Sequence, residues 1–171
     1  LRRHATSKIA SLADLERVGT MGFRGEALAA IASVAEVTLA SRTPGAAQAL
    51  RLDARSGEIE PVARAVGTTV EVRELFFATP ARRKFLKSDA TELAHCLEAV
   101  RRHALARPDV AFAVWHEGKL VAQWRAAATL DARLADEMGA EVMAASLAVC
   151  GGVGALHMTG SIGTPDAAPV R

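Results

Sequence analysis

The stretch "GTMGFRGEALAAIASVA", Gly19–Ala35, decides how this chain is read. Three glycines surround the pair Phe23-Arg24, and an alanine-rich run headed by Glu26 follows at once. Glycine loses more conformational freedom on folding than any other residue, so a cluster of it belongs where backbone turns sharply or approaches something closely. From Glu26 onward "EALAAIASVA" predicts a helix with Leu28, Ile31, Ala32 and Ala35 on one face. A glycine-framed loop opening into a helix presents free backbone N–H groups and a positive dipole end, which suits a phosphate. A tight turn before a core helix satisfies the same local pattern and is its commoner use.

The bulk properties narrow the classes. The chain has 171 residues, enough for one domain and part of a second. Half of them are hydrophobic and 23% charged, a globular and not a disordered composition. The formal net charge is only +2, so any nucleic-acid binding must come from a local patch. Cys96 and Cys150 lie far apart without a CxxC partner, which argues against zinc or a disulfide framework and fits a reducing cytoplasm. No apolar run approaches the roughly 18 residues of a membrane span. "EVMAASLAVCGGVGALHM" comes nearest and is broken by a glutamate and glycines, and "LRRHATSKIASLADLERV" lacks the apolar core of a signal peptide. The chain opens on Leu1 and not on Met, so it is expected to be an internal piece of a longer protein.

Along the chain, a helix is expected from Leu12 to Gly19 and a strand at "EVTLASR". Two strands should flank the turn "RSGE", and "TTVEVREL" alternates as a further strand. "FFATPARRKFLKS" reads as an irregular basic segment. Asp89–Arg107 reads as a helix with a capping-box-like start, Asp89 followed by Glu92, and an apolar face of Leu93, Leu97, Val100 and Ala104. "DVAFAVWHEGKLVAQWRA" predicts a hairpin turning at "EGK" with Trp115 and Trp124 in its strands. A short helix over Thr129–Met138, stopped by Gly139, and two short strands should complete the chain. The alanine-rich "RAAATLDAR" reads as a joint, which puts a domain boundary near Ala126–Asp131.

Three blocks occur in order: "RHATSKI", "GFRGEAL" and "GTTVEVRELFFATPARRKFL". Together they closely resemble the MutL family of DNA mismatch-repair ATPases, within the GHKL superfamily that also holds type II topoisomerases, ninety-kilodalton heat-shock chaperones and histidine kinases. The resemblance is strong over Arg3–Ala126 and weak beyond. It implies an α/β fold: a two-layer sandwich of GHKL ATPase type, present in part over 1–126 with one mixed sheet layered on helices. The start of an α/β transducer domain similar to ribosomal protein S5 domain 2 would follow over 127–171.

In such proteins "GFRGEAL" belongs to a mobile lid over ATP, so the resemblance assigns Gly22, Phe23, Arg24, Gly25, Glu26, Ala27 and Leu28 to ATP binding. Gly22 and Gly25 would allow close backbone approach and hinge motion. Arg24 is open to two roles, at the phosphates or in packing, and Glu26 in the first helical turn would favour the dipole with no ligand at all. Thr6, Ser7 and Lys8 resemble the family's nucleotide-contacting segment, where two hydroxyls and an ammonium can donate to phosphate oxygens. An N-cap beside a solvated lysine is the plain alternative. Thr68 resembles the threonine that helps hold the adenine end, and otherwise is a β-branched residue at a strand start.

The family's general-base glutamate, its neighbouring Mg²⁺-ligating asparagine and a "DxGxG" block are not found in this sequence. Both would precede Leu1, and a lysine from the second domain would lie beyond Arg171. No complete hydrolytic site can be assembled here, no residue of the chain is assigned as catalytic or as a metal ligand, and ATP with Mg²⁺ is the cofactor implied for the intact protein. "GGVGALH" mimics a dinucleotide fingerprint but has His157 where a glycine belongs. His95 beside Cys96 is a helix neighbour pair without a second ligand pair.

Between Pro80 and Arg107 seven basic side chains face three acidic ones, a local excess of four in a chain of net charge +2. Such a patch suits a phosphate backbone without reading sequence, and a solvated helix face explains it equally well from charge alone. The family binds DNA through its ATPase fragment, which favours the patch: Arg82, Arg83, Lys84 and Lys87, with Lys84 and Lys87 foremost.

The resemblance therefore implies a piece of a cytoplasmic, nucleoid-associated bacterial mismatch-repair protein. The intact protein would bind and hydrolyse ATP, close its lid, form a homodimer through its N-terminal regions and signal from mismatch-recognition to strand-incision proteins, with no membrane involved. Two other readings stay open: a non-enzymatic DNA-binding or interaction module, and another GHKL ATPase of topoisomerase or chaperone type.

Overall fold

The computed structural model describes residues 4–20 and 22–165. Met21 and the outer ends of the two expected domains, 1–3 and 166–171, lie outside the described residues. The chain forms two compact units, Leu1–Leu86 and Lys87–Arg171. The joint expected at Ala126–Asp131 therefore falls within the second unit.

In the first unit, α1 (Leu12–Glu16) is a single turn that ends before the expected Gly19. It is closed by a capping box: the Asp14 amide donates to the Ser11 hydroxyl, and an Asp14 carboxylate oxygen accepts from the Ser11 amide. The Ala10 amide and the Ser11 groups hold the Asp14 carboxyl below the usual carboxylate range. Helix α2 (Ala27–Ala32) has six residues, shorter than the run to Ala35 that periodicity predicts. The chain leaves it early and enters β1 at Glu36, with Ala35 just ahead of the strand and Val37 within it both buried.

Four strands follow: β1 (Glu36–Arg42), β2 (Ala49–Asp53), β3 (Ile59–Val62) and β4 (Gly67–Arg73), ordered β3-β2-β1-β4. Every pairing is antiparallel, so the sheet is not the mixed one expected. Because side chains alternate across a strand, the register segregates the two faces. Leu39 lies opposite Leu52 and Val70, Val37 opposite Val72, and Leu52 opposite Ile59, which gives an apolar face. Thr38 lies opposite Asp53 and Glu71, Glu36 opposite Arg73, and Arg51 opposite Glu60, which gives a polar one. The Phe76 amide donates to Val34 O at 2.7 Å and fastens the exit of β4 to the entry of β1. The basic segment is not wholly irregular, since Pro80 opens a one-turn helix, α3 (Pro80–Arg83). Proline suits a first helical turn because its missing N–H would have no helical partner there.

The second unit opens with α4 (Asp89–Ala106). Its cap differs from the expected one: Ser88 is the N-cap and accepts from the Thr91 amide, while the Glu92 carboxylate reaches back to the Lys87 amide at 2.8 Å. Strands β5 (Phe112–His116) and β6 (Lys119–Trp124) form the expected hairpin. Its turn places Glu117 and Gly118 at φ 48° and 74°, left-handed values that match the twist of the flanking strands. Helix α5 (Leu130–Met138) is capped by Thr129, and Gly139 at φ 90° ends it. A short helix not foreseen, α6 (Ala140–Ala144), leads into β7 (Ser146–Val153) and β8 (Leu156–Gly163), an antiparallel pair.

Polar bonds from α5 hold this unit together. Glu137 accepts from Trp124 Nε1 and from Arg101 Nε, each at 2.5 Å, and so ties α5 to both β6 and α4. Arg133, fully buried, donates through Nη2 to Pro108 O and Val110 O. Glu137→Ala leaves a buried indole N–H without its acceptor and Arg101 with Glu98 alone, and is expected to cost about 1–3 kcal/mol. Urea unfolding of the chain checks this, together with a red shift of the emission of Trp124.

Candidate functional site

In the first unit a cavity of about 590 Å³ lies between two stretches far apart in sequence, Ala5–Lys8 and Gly22–Ala29. The structure thus brings together Thr6, Ser7 and Lys8 with the whole of Gly22–Leu28. One wall is the end of a short loop whose Thr6 hydroxyl accepts from the Lys8 amide at 3.2 Å. The other is the glycine loop and the first turn of α2. The first helical hydrogen bond there runs from the Ala30 amide to Glu26 O. The amides of Ala27, Leu28 and Ala29, all lining the cavity, therefore have no helical acceptor.

The two glycines of the loop have different surroundings. A side chain on Gly22 would meet the Lys8 ammonium at 4.0 Å, so the bare backbone leaves that cation beside the loop. Gly25 sits at φ 67°, and a Cβ there would overlap the carbonyl of Ala5. The two walls touch backbone to backbone at this point.

The charges in the cavity are Lys8, Arg24 and Glu26. Glu26 spends one carboxylate oxygen on His4 Nδ1 at 3.0 Å and the other on Arg24 Nε at 2.9 Å. Of the two roles open to Arg24, the structure has it paired with Glu26 and mostly solvent-exposed. Glu26 is the N-cap of α2 and makes no capping hydrogen bond, so it serves its neighbours and not the dipole. His4 and Ala5 are site residues that sequence reasoning passed over. His4 heads the same block as Thr6, but its left-handed φ of 63° and its reach to Glu26 have no signature in sequence.

Thr68 is not at the cavity. It lies in β4 opposite Ser41 of β1, and the two hydroxyls are hydrogen-bonded at 2.9 Å. The basic residues are elsewhere as well. Arg82 and Arg83 are in α3, Lys84 caps it, and Lys87 precedes α4 in the second unit. All four are exposed, and among the described residues none of them forms an ion pair. Arg101, Arg102 and Arg107, by contrast, are held by Glu137, Glu98 and Asp109. A second hollow, about 320 Å³ over the polar face of the sheet, balances Glu36, Asp53 and Glu71 against Arg51, Arg55 and Arg73 and has no charge to offer a ligand.

No family model matches the chain. It is 55% identical over 171 residues to the DNA mismatch repair protein MutL of Ralstonia nicotianae, covering 100% of this chain and 27% of that protein. It is 49% identical over 176 residues to MutL of Herminiimonas arsenicoxydans, covering 100% of this chain and 29% of that protein. The chain thus spans less than a third of the length of these relatives. Among solved structures, the Aquifex aeolicus MutL ATPase domain complexed with ADP superimposes with a TM-score of 0.62 at 31% identity, over 83% of this chain and 56% of that one. Another structure of the ATPase domain of the Aquifex aeolicus mismatch repair endonuclease MutL matches with a TM-score of 0.62 at 27% identity, over 90% and 56%.

The contact at Gly25 is the sharpest steric constraint in the cavity. Gly25→Ala adds a methyl group where Ala5 O stands and strains a left-handed backbone, and is expected to destabilise the first unit by about 1–3 kcal/mol. Thermal unfolding followed by far-ultraviolet circular dichroism measures it, with Gly57→Ala as the control, since that glycine also has positive φ but open space around it.

Proposed function

The chain belongs to the MutL family of DNA mismatch-repair proteins, and on that premise we propose that it forms the lid and phosphate side of an ATP site in a longer protein. The observation that carries this reading is the cavity itself, which joins Thr6–Lys8 to Gly22–Leu28. Its donors suit a polyphosphate: the Lys8 ammonium, the hydroxyls of Thr6 and Ser7, and the first-turn amides of α2. A MutL ATPase domain 31% identical to this chain was solved with ADP, which supports the same class of ligand. Bound ATP would supply the phosphoanhydride whose hydrolysis the intact protein couples to lid closure.

Mg²⁺ finds no cage in these residues. Among the described residues no group of three or more His, Cys, Asp or Glu could hold a metal ion. The one carboxylate lining the cavity, Glu26, is engaged by His4 and Arg24. Thr68, hydrogen-bonded within the sheet, is the weakest of the proposed ATP contacts.

The domain reading is part of the proposal: 1–126 as the later part of the GHKL ATPase domain, and 127–171 as the start of an S5 domain 2-like transducer domain. So are the partners, namely DNA, a second copy of the protein, and mismatch-recognition and strand-incision proteins, and a cytoplasmic, nucleoid-associated setting. No helix among the described residues is long and apolar enough to cross a membrane.

Calorimetric titration of the full-length protein with ADP and with a non-hydrolysable ATP analogue tests the site. Lys8→Ala removes a charge-assisted contact, and is expected to weaken binding at least about tenfold. Unchanged affinity would remove Lys8 from the site, and the absence of any nucleotide binding by the wild type would refute the reading.

The DNA reading rests on the unpaired cations of the α3 region. Lys84→Glu with Lys87→Glu should lower the slope of log K against log salt by about two units, since each lost phosphate contact releases one fewer counterion. The loss should be alike on matched and mismatched duplexes, because backbone contacts carry no sequence information. A salt titration on two unrelated duplexes measures it, and an unchanged slope would leave the patch a solvated surface.

A further inference from the structure

We propose that Glu26 is a latch that ties the two walls of the cavity together and sets how fast a nucleotide enters and leaves. Its placement in a nucleotide site rests on the reading above, while the latch itself is a property of the empty protein.

The latch is argued from connectivity. Among the described residues, every hydrogen bond made from Thr6 to Thr20 closes locally, as does the one from the Thr20 hydroxyl to Gly22 O. The capping box of α1 is internal to that stretch. Among the described residues, the single polar bond between residues 4–20 and anything beyond Gly22 is His4 Nδ1 to Glu26 Oε1, at 3.0 Å. Among the described residues, the segment that carries Thr6, Ser7 and Lys8 is thus tied to the α2 wall by this one polar contact, with the backbone contact of Gly25 and Ala5 beside it.

Two further features mark the pair as a device. His4 holds a left-handed backbone, φ 63°, a conformation uncommon among non-glycine residues. The other oxygen of Glu26 takes Arg24 Nε at 2.9 Å, so one carboxylate serves both walls. In the latched state Arg24 is committed to Glu26. Polyphosphate oxygens are the natural competitors for the same guanidinium, because they can engage it through two N–H groups where Glu26 takes only its Nε. An arriving nucleotide that drew off Arg24 would weaken the hold of Glu26 on the glycine loop at the moment the loop must rearrange.

The test uses the full-length protein in two measurements. Hydrogen exchange of residues 5–17 is followed without nucleotide, and association and dissociation of a fluorescent ADP are followed by stopped flow. Glu26→Gln keeps size and shape and removes the charge. It should speed exchange about fivefold, the upper scale of a solvent-exposed polar pair, with no change in the strands of the sheet. Both rate constants for ADP should rise by a similar factor. His4→Ala should do the same, and the double variant should exchange no faster than Glu26→Gln alone, since both remove one link. Unchanged exchange in Glu26→Gln overturns the latch even where the wild type binds ADP. Additive effects in the double variant overturn it too, since they would mean that the two residues act separately. A wild type that binds no ADP overturns the nucleotide reading and with it the gating role, whatever the exchange reports.

Discussion

Strand β1 is paired on both edges, with β2 on one side and β4 on the other, and the first unit depends on that arrangement. Its entry residues Ala35 and Val37 are buried, and Val34 O receives the Phe76 amide from the far end of β4. Helix α2 ends three residues before this anchor, so the glycine loop ahead of it is carried on a rigid support. One wall of the cavity is therefore fixed by sheet hydrogen bonding. The other, Ala5–Lys8, has no comparable support, and the site pairs a rigid wall with a loosely held one. That combination suits a pocket that must open and close around its ligand.

Charge works differently at the two candidate sites. In the cavity, a cation, a second cation and a carboxylate are set close together, and the carboxylate is satisfied by neighbours and not by a helix end. At the basic segment the distinction lies between arginines already engaged by Glu137, Glu98 and Asp109, and the four cations that are not. The bulk excess of positive charge between Pro80 and Arg107 overstated the patch, because three of its seven cations are committed to structural pairs. Only a structure separates the two kinds, since pairing depends on where Glu137 of α5 falls and not on the local count.

Much of the fold was legible because its signals are local. The alternation in "TTVEVREL", the turn at "EGK", the apolar face ending at Ala104 and the stop at Gly139 each depend on residues within one element or turn. The errors share one cause, the override of local preference by tertiary demands. The α2 run was cut short where the chain enters β1, with Ala35 and Val37 buried. Helix α4 starts at Asp89 as expected, and only its cap differs, with Ser88 accepting from the Thr91 amide. The all-antiparallel pairing of the sheet, the short α6 and the burial of Arg133 depend on partners distant in sequence, and no local pattern announces them.

The candidate site divides along the same line. By itself the sequence named most of the cavity's lining: three blocks in order, the glycines at 22 and 25, the hydroxyls and ammonium of Thr6–Lys8, and through them the family; it passed over Ala5 and added Thr68, which lies in the sheet. It also determined that the loop must be glycine-framed, because that is a property of single residues and their backbone freedom. Tertiary structure alone decided the geometry. It brought Ala5 against Gly25, turned Glu26 from the helix dipole to His4 and Arg24, and kept Thr68 in the sheet beside Ser41. The physical reason is that composition and spacing specify which groups are available, whereas a contact between residues 4 and 26, or 41 and 68, forms only when the chain between them has folded.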